Sequence, residues 1–178
     1  TTRECLLSKI QQRNFNLKIN NYHSVFKKYF GIHHVIWLNR GIVGDDTHGH
    51  IDDIARFVSP NKIFLAYEKN KNDKNYKMLN ENFMLLKKER KNVSNLKIKR
   101  IPMPRPIYID NTRVPASYLN FYITNKLVLL PVFNDPNDRV VIRIFKKEFK
   151  NRKVVPIDCS ELIWGLGAIH CMTQQEPR

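Results

Sequence analysis

The chain has 178 residues, 42% of them hydrophobic and 11% aromatic, with 31 Lys plus Arg against 16 Asp plus Glu for a net charge of +15. This length suits one domain or a piece of a larger one, and the apolar content supports a sizeable core and excludes a disordered chain. No apolar run nears the roughly 18 residues of a membrane helix, and Thr1-Thr2-Arg3-Glu4-Cys5 is not a secretory leader.

The first residues read as a strand (about 1–7), a helix (about 20–30) stopped by Gly31, and a strand from His33 to Leu38. Residues 50–58 read as the next strand, and Ser59-Pro60-Asn61 as a turn. Lys62 to Tyr67 is a strand rich in Ile, Phe and Leu. A helix follows over about 73–90, with Tyr76, Leu79, Phe83 and Leu86 at helical spacing. Leu96 to Ile101 closes the group as a strand, with Pro102 as its stop. The same order then recurs. Tyr118 to Thr124 and Leu127 to Phe133 are strands, and Asn134-Asp135-Pro136 signals a helix start. Val140, Val141, Ile144, Phe145 and Phe149 give that helix its buried face, and Lys153 to Ile157 is the closing strand. Ile169 to Thr173 looks like the opening strand of another unit.

Both chain ends therefore fall inside a ββαβ unit. Repeats of this kind bury their faces against neighbours, so the pattern predicts the C-terminal part of a toroid of such units. The absence of an initiator Met agrees with a lost start. A compact alternative, in which the two end pieces combine to close a three-unit ring, ranks below truncation.

Three cysteines at wide spacing, Cys5, Cys159 and Cys171, make a poor disulfide framework and point to a reducing, cytoplasmic setting. With six histidines they form no CxxC or HxxxH spacing, so zinc is not expected. The +15 charge invites nucleic-acid binding. However, 19 Lys and 19 Asn are spread along the chain, and the densest basic stretch, Lys87 to Arg100, has no interleaved aromatics for base stacking. Nucleic acid is thus not the expected partner.

Six glycines serve the whole chain, and five of them fall in two places. Glycine marks unusual backbone angles or close approach. The first place is Gly41 to Asp53, where Asp45, Asp46, His48, His50, Asp52 and Asp53 crowd a loop entering the expected strand. On that strand His50 and Asp52 would share a face, pairing a proton-moving imidazole with a cation-holding carboxylate. The bland alternative is an acidic loop with capping Asp residues. The second place is Gly165-Leu166-Gly167-Ala168-Ile169-His170-Cys171. A lone strand Cys is usually a small buried hydrophobe, but a distant His-x-Asp makes it a candidate nucleophile.

These residues carry a resemblance. Trp37 to Asp53, Ala116-Ser117-Tyr118-Leu119-Asn120-Phe121-Tyr122, and Ala168-Ile169-His170-Cys171-Met172-Thr173-Gln174-Gln175 are similar to the agmatine deiminase family. That family is related to bacterial-type peptidylarginine deiminases within the guanidino-modifying penteins. The likeness spans essentially the whole chain, in three ordered motifs. It implies a five-bladed α/β propeller, of which residues 1–178 would be the C-terminal part of a single domain. It also implies hydrolysis of agmatine to N-carbamoylputrescine and ammonia, with no cofactor or metal.

The same resemblance implies Cys171 as nucleophile, His50 as catalytic histidine and Asp52 as a guanidinium-gripping carboxylate. A second such carboxylate lies in the family's N-terminal half, which has no counterpart here. That half, or a homo-oligomer, is an expected partner. Peptidylarginine deimination and a degenerate non-catalytic homologue are the alternatives. Asp46 would approach the guanidinium or merely cap its loop. The family's usual Gly-Gly-Gly-Asn before the nucleophile is here Gly165-Leu166-Gly167-Ala168. Positive φ at Leu166 would cost on the order of 1–2 kcal/mol.

Among the other residues, Trp37 reads as core on a buried strand. Tyr118, Asn120 and Tyr122 alternate on a strand and support the site. His170 should point away from Cys171, and Cys5 and Cys159 are structural thiols. His23, His33 and His34 have no evident partner.

Overall fold

The computed structural model describes residues 1–11 and 13–176. Its centre is a pair of units with the expected strand, strand, helix, strand order. The first unit contains β1 (Ala55–Ser59), β2 (Lys62–Tyr67), α3 (Lys74–Lys88) and β3 (Lys97–Pro102). It follows α1 (Arg3–Leu7) and α2 (Ile19–Phe30). The second unit contains β6 (Tyr122–Ile123), β7 (Leu127–Val132), α4 (Asn137–Glu148) and β8 (Lys153–Asp158). Between them lies a small hairpin of β4 (Tyr108–Ile109) and β5 (Thr112–Arg113), which the sequence pattern did not announce.

Each unit is a mixed three-stranded sheet. β1 runs antiparallel to β2 and β3 parallel to it; β6, β7 and β8 repeat the arrangement. A parallel neighbour requires a crossover, and α3 and α4 supply it. The central strands read as apolar runs because helices and neighbouring strands cover them: Ile63, Phe64, Leu65 and Ala66 are all buried. The fold is thus α/β with mixed sheets, and no described sheet closes on itself.

The two units share a core. Phe64 of β2 meets Phe145 of α4 edge-on, with ring centroids 5.1 Å apart, and Phe121 meets Phe145 at 4.9 Å. Such pairs add about 0.5–1.5 kcal/mol each beyond their burial. Lys62 Nζ reaches Glu148 at 2.6 Å across the same junction. On α4, Val141, Phe145 and the following Phe149 are buried as expected, but Val140 is exposed.

The helix α3 departs from its expected face. Asn75, Leu79, Asn82 and Leu86 are buried, while Tyr76 and Phe83 sit to the side. The spacing 4, 3, 4 is as helical as the apolar one, but it carries two amides inward. These amides serve a loop. Asn75 Oδ1 accepts Val43 N–H (2.8 Å), and Asn82 accepts Asn39 N–H (2.7 Å) and donates to Arg40 O (2.8 Å). Buried backbone groups need partners, and here helix side chains provide them.

The chain ends differ most from expectation. Thr2 is an N-cap: its Oγ1 accepts Cys5 N–H at 3.0 Å, so Arg3–Leu7 form a helical turn where a strand was expected. Residues 33–38 form no strand; a single parallel bridge joins Thr2 to Leu38. Helix α2 ends at Gly31 in the left-handed region, as the sequence required. Trp37 is half-buried, stacked on His23 and donating Nε1–H to its Nε2 at 3.0 Å. His23 therefore has a partner, and so does His34, which lies 2.9 Å from Glu89.

Candidate active site

Three segments meet in front of the shared core, each lying just outside a strand. The first is not the expected start of a strand. Ile51–Asp53 form a 3-10 turn closed by Ile54 N–H to Ile51 O at 3.0 Å, and β1 begins only at Ala55. The left-handed backbone of His48 (φ 60°) and Gly49 (φ 82°) breaks the extended path just before it. His50 and Asp52 therefore do not share the strand face expected of them. Asp52 and Asp53 are buried by the turn instead.

Asp45 organises the loop before this turn. Its carboxylate accepts the N–H groups of Thr47 (2.9 Å), Gly49 (2.8 Å) and His50 (2.8 Å), and the Thr47 hydroxyl. Gly41 has no room for a side chain: a Cβ there would lie 2.4 Å from Gly49 Cα. The loop is thus packed on itself and held by α3.

The second segment, Ser117 to Phe121, is a turn rather than the expected strand, which shrinks to Tyr122–Ile123. Ser117 Oγ donates to Asp53 O at 2.7 Å and accepts Leu119 N–H at 3.2 Å. Arg56 of β1 donates Nη1–H to Leu119 O (3.2 Å) and Phe121 O (2.9 Å), with its guanidinium 4.7 Å from the Phe121 ring centre. The backbone on both sides of Asn120 is thereby fixed.

The third segment follows β8. Ile169 to Thr173 is no strand, because His170–Met172 form a 3-10 turn. Leu166 enters it with φ 60°, the positive angle whose cost was anticipated. A Cβ at Gly167 would lie 2.7 Å from Cys171 Cβ, so that glycine lets the backbone pass behind the cysteine. The turn places His170 beside Cys171 rather than opposite it. His170 Nδ1–H donates to Asp52 Oδ2 at 2.7 Å, and Cys171 Sγ lies 3.3 Å from the same oxygen.

Asn120 joins the pieces. Its Nδ2 is 2.9 Å from Cys171 Sγ, 2.9 Å from Asp53 Oδ1 and 3.2 Å from Asp52 Oδ2. Its Oδ1 accepts Ala168 N–H at 3.2 Å and Cys171 N–H at 3.1 Å.

The electrostatics separate the two carboxylates. Burial pushes Asp52 up, but the hydrogen bonds from His170 and Cys171 outweigh it and hold the carboxyl at about 2. Asp53 has no such donors beyond Asn120; burial and the neighbouring Asp52 charge push it well above the ordinary carboxylate range. Burial of the sulfur and the two carboxylate charges push the Cys171 thiol up to about 12, against the opposing hydrogen bond from Asn120. Cys171 is nevertheless an exposed residue, whereas Cys159 is fully buried and Cys5 partly so. The Cys171 thiol is thus open to solvent on one side and faces carboxyl groups on the other.

Of the residues expected from the sequence, Cys171 and Asp52 come together. His50 lies at the near end of the Ile51–Asp53 turn, with its Nε2 2.9 Å from Arg13 Nη2 and no hydrogen bond to Cys171. Asp46 is exposed, and its carbonyl accepts from His48 Nδ1 at 2.7 Å. The contributions of Asp53, Arg56, Arg13 and His170 were missed. Only Asp53 carried a visible signal, as an acid adjacent to Asp52.

Repeated ββαβ units whose flanking turns assemble a thiol, two carboxyl groups, an imidazole and a carboxamide define an α/β protein with a cysteine-centred polar site. The model of the Porphyromonas-type peptidyl-arginine deiminase family matches residues 1–177, and the chain belongs to that family. Curated relatives provisionally named agmatine deiminases include one from Legionella pneumophila strain Paris, 36% identical over 100% of this chain and 51% of its own. Another, from Latilactobacillus sakei, is 36% identical over 99% of this chain and 53% of its own. The chain thus spans about half the length of the curated relatives it matches. Among solved structures, a Cys-to-Ser variant of the C. jejuni agmatine deiminase with substrate bound is similar at TM-score 0.87. It has 30% identity, covering 96% of this chain and 49% of that one. The Enterococcus faecalis agmatine deiminase is similar at TM-score 0.90 and 30% identity, over 100% of this chain and 53% of that one.

Proposed function

We propose that this chain is the C-terminal part of a five-bladed α/β propeller that hydrolyses the guanidino group of agmatine to N-carbamoylputrescine and ammonia. The observation that carries the reading is the Cys171 sulfur, 3.3 Å from a buried carboxylate that stays ionised. A planar guanidinium held by Asp52 would present its carbon to that sulfur. Its positive charge would also lower the thiol from its high resting value. The names of the relatives, and the substrate-bound state of the C. jejuni variant, support this substrate class.

In the proposed reaction the Cys171 thiol gives its proton to His50 as the sulfur bonds to the guanidinium carbon, forming a tetrahedral adduct. His50 passes that proton to a terminal nitrogen, the bond to this nitrogen breaks, and ammonia leaves. Water, deprotonated by His50, then attacks the amidino intermediate; the S–C bond breaks, the sulfur takes the proton back from His50, and the ureido product departs. A guanidinium N–H directed at Nε2 occupies the lone pair that a base needs. The imidazole must therefore part from Arg13 during the cycle. Asp46 is assigned to the rim, where it would meet the incoming cation.

A second reading, action on peptidyl arginine, rests on the name of the matched family. A free amine distinguishes agmatine from an acetylated arginine peptide, and parallel assays of a full-length enzyme separate the two. The chain alone is expected to release no ureido product, because the second carboxylate implied by the resemblance has no position in it.

A test that needs no turnover uses two alkylating agents of one shape. Chloroacetamidine is a planar cation and chloroacetamide its neutral counterpart. The cation is expected to label Cys171 at least tenfold faster, and Asp52→Asn to erase the preference. Equal rates on the unsubstituted chain would sink the guanidinium reading.

A further inference from the structure

We infer that the end of the molecule opposite Cys171 docks on an anionic lipid surface. The polarity of the two units defines that end. The site is built before β1, before β6 and after β8, where the parallel strands of both units finish. The other end, where β2, β3, β7 and β8 begin and α3 and α4 finish, faces away from the site. Two contacts place these pieces side by side. Lys62 at the start of β2 reaches Glu148 at the end of α4 at 2.6 Å, and His34 beyond α2 reaches Glu89 beyond α3 at 2.9 Å.

The charge is not spread evenly. Residues 27–34, 87–97 and 146–153, with Lys62 and Lys126, hold fourteen Lys and Arg against two Glu, so twelve of the fifteen net positive charges gather at this end. Both glutamates are engaged by His34 and Lys62, and every one of these cations except Lys62 is exposed. Attraction to a helix C-terminus accounts for Lys87, Lys88, Lys146 and Lys147. It does not account for Lys97, Lys126 and Lys153, which open or precede strands.

The same end exposes apolar side chains in a row. Tyr29, Phe30 and Ile32 are 68%, 69% and 43% exposed around the left-handed Gly31, and Lys27 and Lys28 precede them. Surfaces that lie on a membrane combine these parts: cations meet the negative headgroups, and aromatic or aliphatic side chains enter the acyl boundary. Nucleic acid fits less well. It is gripped by bidentate Arg and by stacking rings, whereas twelve of the fourteen cations are Lys and Ile32 offers no ring. The contact is with the surface alone, since no described helix is long and apolar enough to cross a membrane. Docked this way, the protein turns Cys171 toward the aqueous phase.

The test is flotation of the chain with vesicles of phosphatidylcholine containing about 30% phosphatidylglycerol, at about 0.1 M salt. Binding is expected to be at least about tenfold tighter than to pure phosphatidylcholine, and to fall away at about 0.5 M salt as screening shortens the reach of the charges. Lys87→Gln, Lys88→Gln and Lys91→Gln together are expected to weaken it about a hundredfold, each cation near the surface being worth about fivefold. The same loss of charge at the other end of α3, through Lys69→Gln, Lys71→Gln and Lys74→Gln, is expected to change binding by less than about twofold. All of these lysines are exposed, so both triple variants probe charge rather than folding. Tyr29→Ser with Phe30→Ser is expected to weaken binding about tenfold. Cys171 should react with iodoacetamide as fast on vesicles as in solution. Equal losses from the two triple variants, association that ignores lipid charge, or a Cys171 shielded by vesicles would overturn the inference. So would no association at all, or capture of poly(U) RNA in its place.

Discussion

The two ββαβ units are built alike and used differently. In each, two six-residue strands pair parallel in unbroken register, Lys62 with Lys97 and Leu127 with Lys153 at their starts. Each helix crosses between them. Yet α4 turns Val141 and Phe145 inward, while α3 turns in Asn75 and Asn82 beside Leu79 and Leu86. The second unit spends its helix on the core. The first spends half of its helix face on fixing the loop that leads to Asp52. The difference teaches that two copies of one scaffold can use their helices unlike each other, α3 to hold a site loop and α4 to fill the core, while both units bring residues to the site.

Substitutions that exchange these duties give the largest effects. Phe145→Ala removes the ring shared by both units and is expected to cost about 3–5 kcal/mol of unfolding free energy, read by denaturant titration. Asn82→Ala strips partners from Asn39 N–H and Arg40 O at the start of the site loop. It is expected to cost about 1–3 kcal/mol and to perturb the amide signals of residues 39–50. If the two substitutions cost the same and move the same signals, the division of labour is wrong.

Smaller effects come from the carboxylate pair, and their signs oppose. Asp52 sits at about 2 in the folded chain, below the ordinary carboxylate value. Its stabilising share is present above that ordinary value and is lost as pH falls from about 4 through 2. Asp52→Asn should flatten this part of the stability curve, by about 1–2 kcal/mol. Asp53 is pushed up by burial and by Asp52, so the folded chain binds its proton more tightly than the unfolded chain does. Its stability is full at low pH and declines as pH rises above the ordinary carboxylate range. Asp53→Asn keeps an oxygen for Asn120 and is expected to gain about 1 kcal/mol at pH 8, with no gain at pH 4. A destabilised Asp53→Asn at pH 8 would reverse the picture of this pair.

The strands and long helices were legible because their signals are local. β2, β7 and β8 announce themselves as apolar or β-branched runs, and α2 ends where Gly31 permits a left-handed angle. The segments carrying the site were misread as strands for a shared reason. Residues 51–53, 118–120 and 170–172 are short and alternate like strands, yet each folds as a tight turn. Their conformation is set by side chains distant in sequence. Asp45 gathers the amides before the first, Ser117 ties the second to Asp53, and Asn120 gathers the amides of the third. His170 was placed on the wrong side of Cys171 because a strand alternates its faces and a 3-10 turn does not.

The sequence by itself determined the ββαβ order of the two units, the glycine-bearing approach to Cys171 and, through its ordered motifs, the family. These follow from periodicity, capping and residue type, which act over a few neighbouring positions. Only the tertiary structure decided that Asp52 stays ionised while Asp53 tends to hold its proton. It also decided that Asn120 faces the sulfur and that α3 serves the site loop with buried amides. Charge state and hydrogen-bond direction depend on what stands within a few ångströms. Those neighbours come from parts of the chain 50 to 120 positions apart, as the span from Asn120 to Cys171 (51) and from Asp52 to Cys171 (119) records.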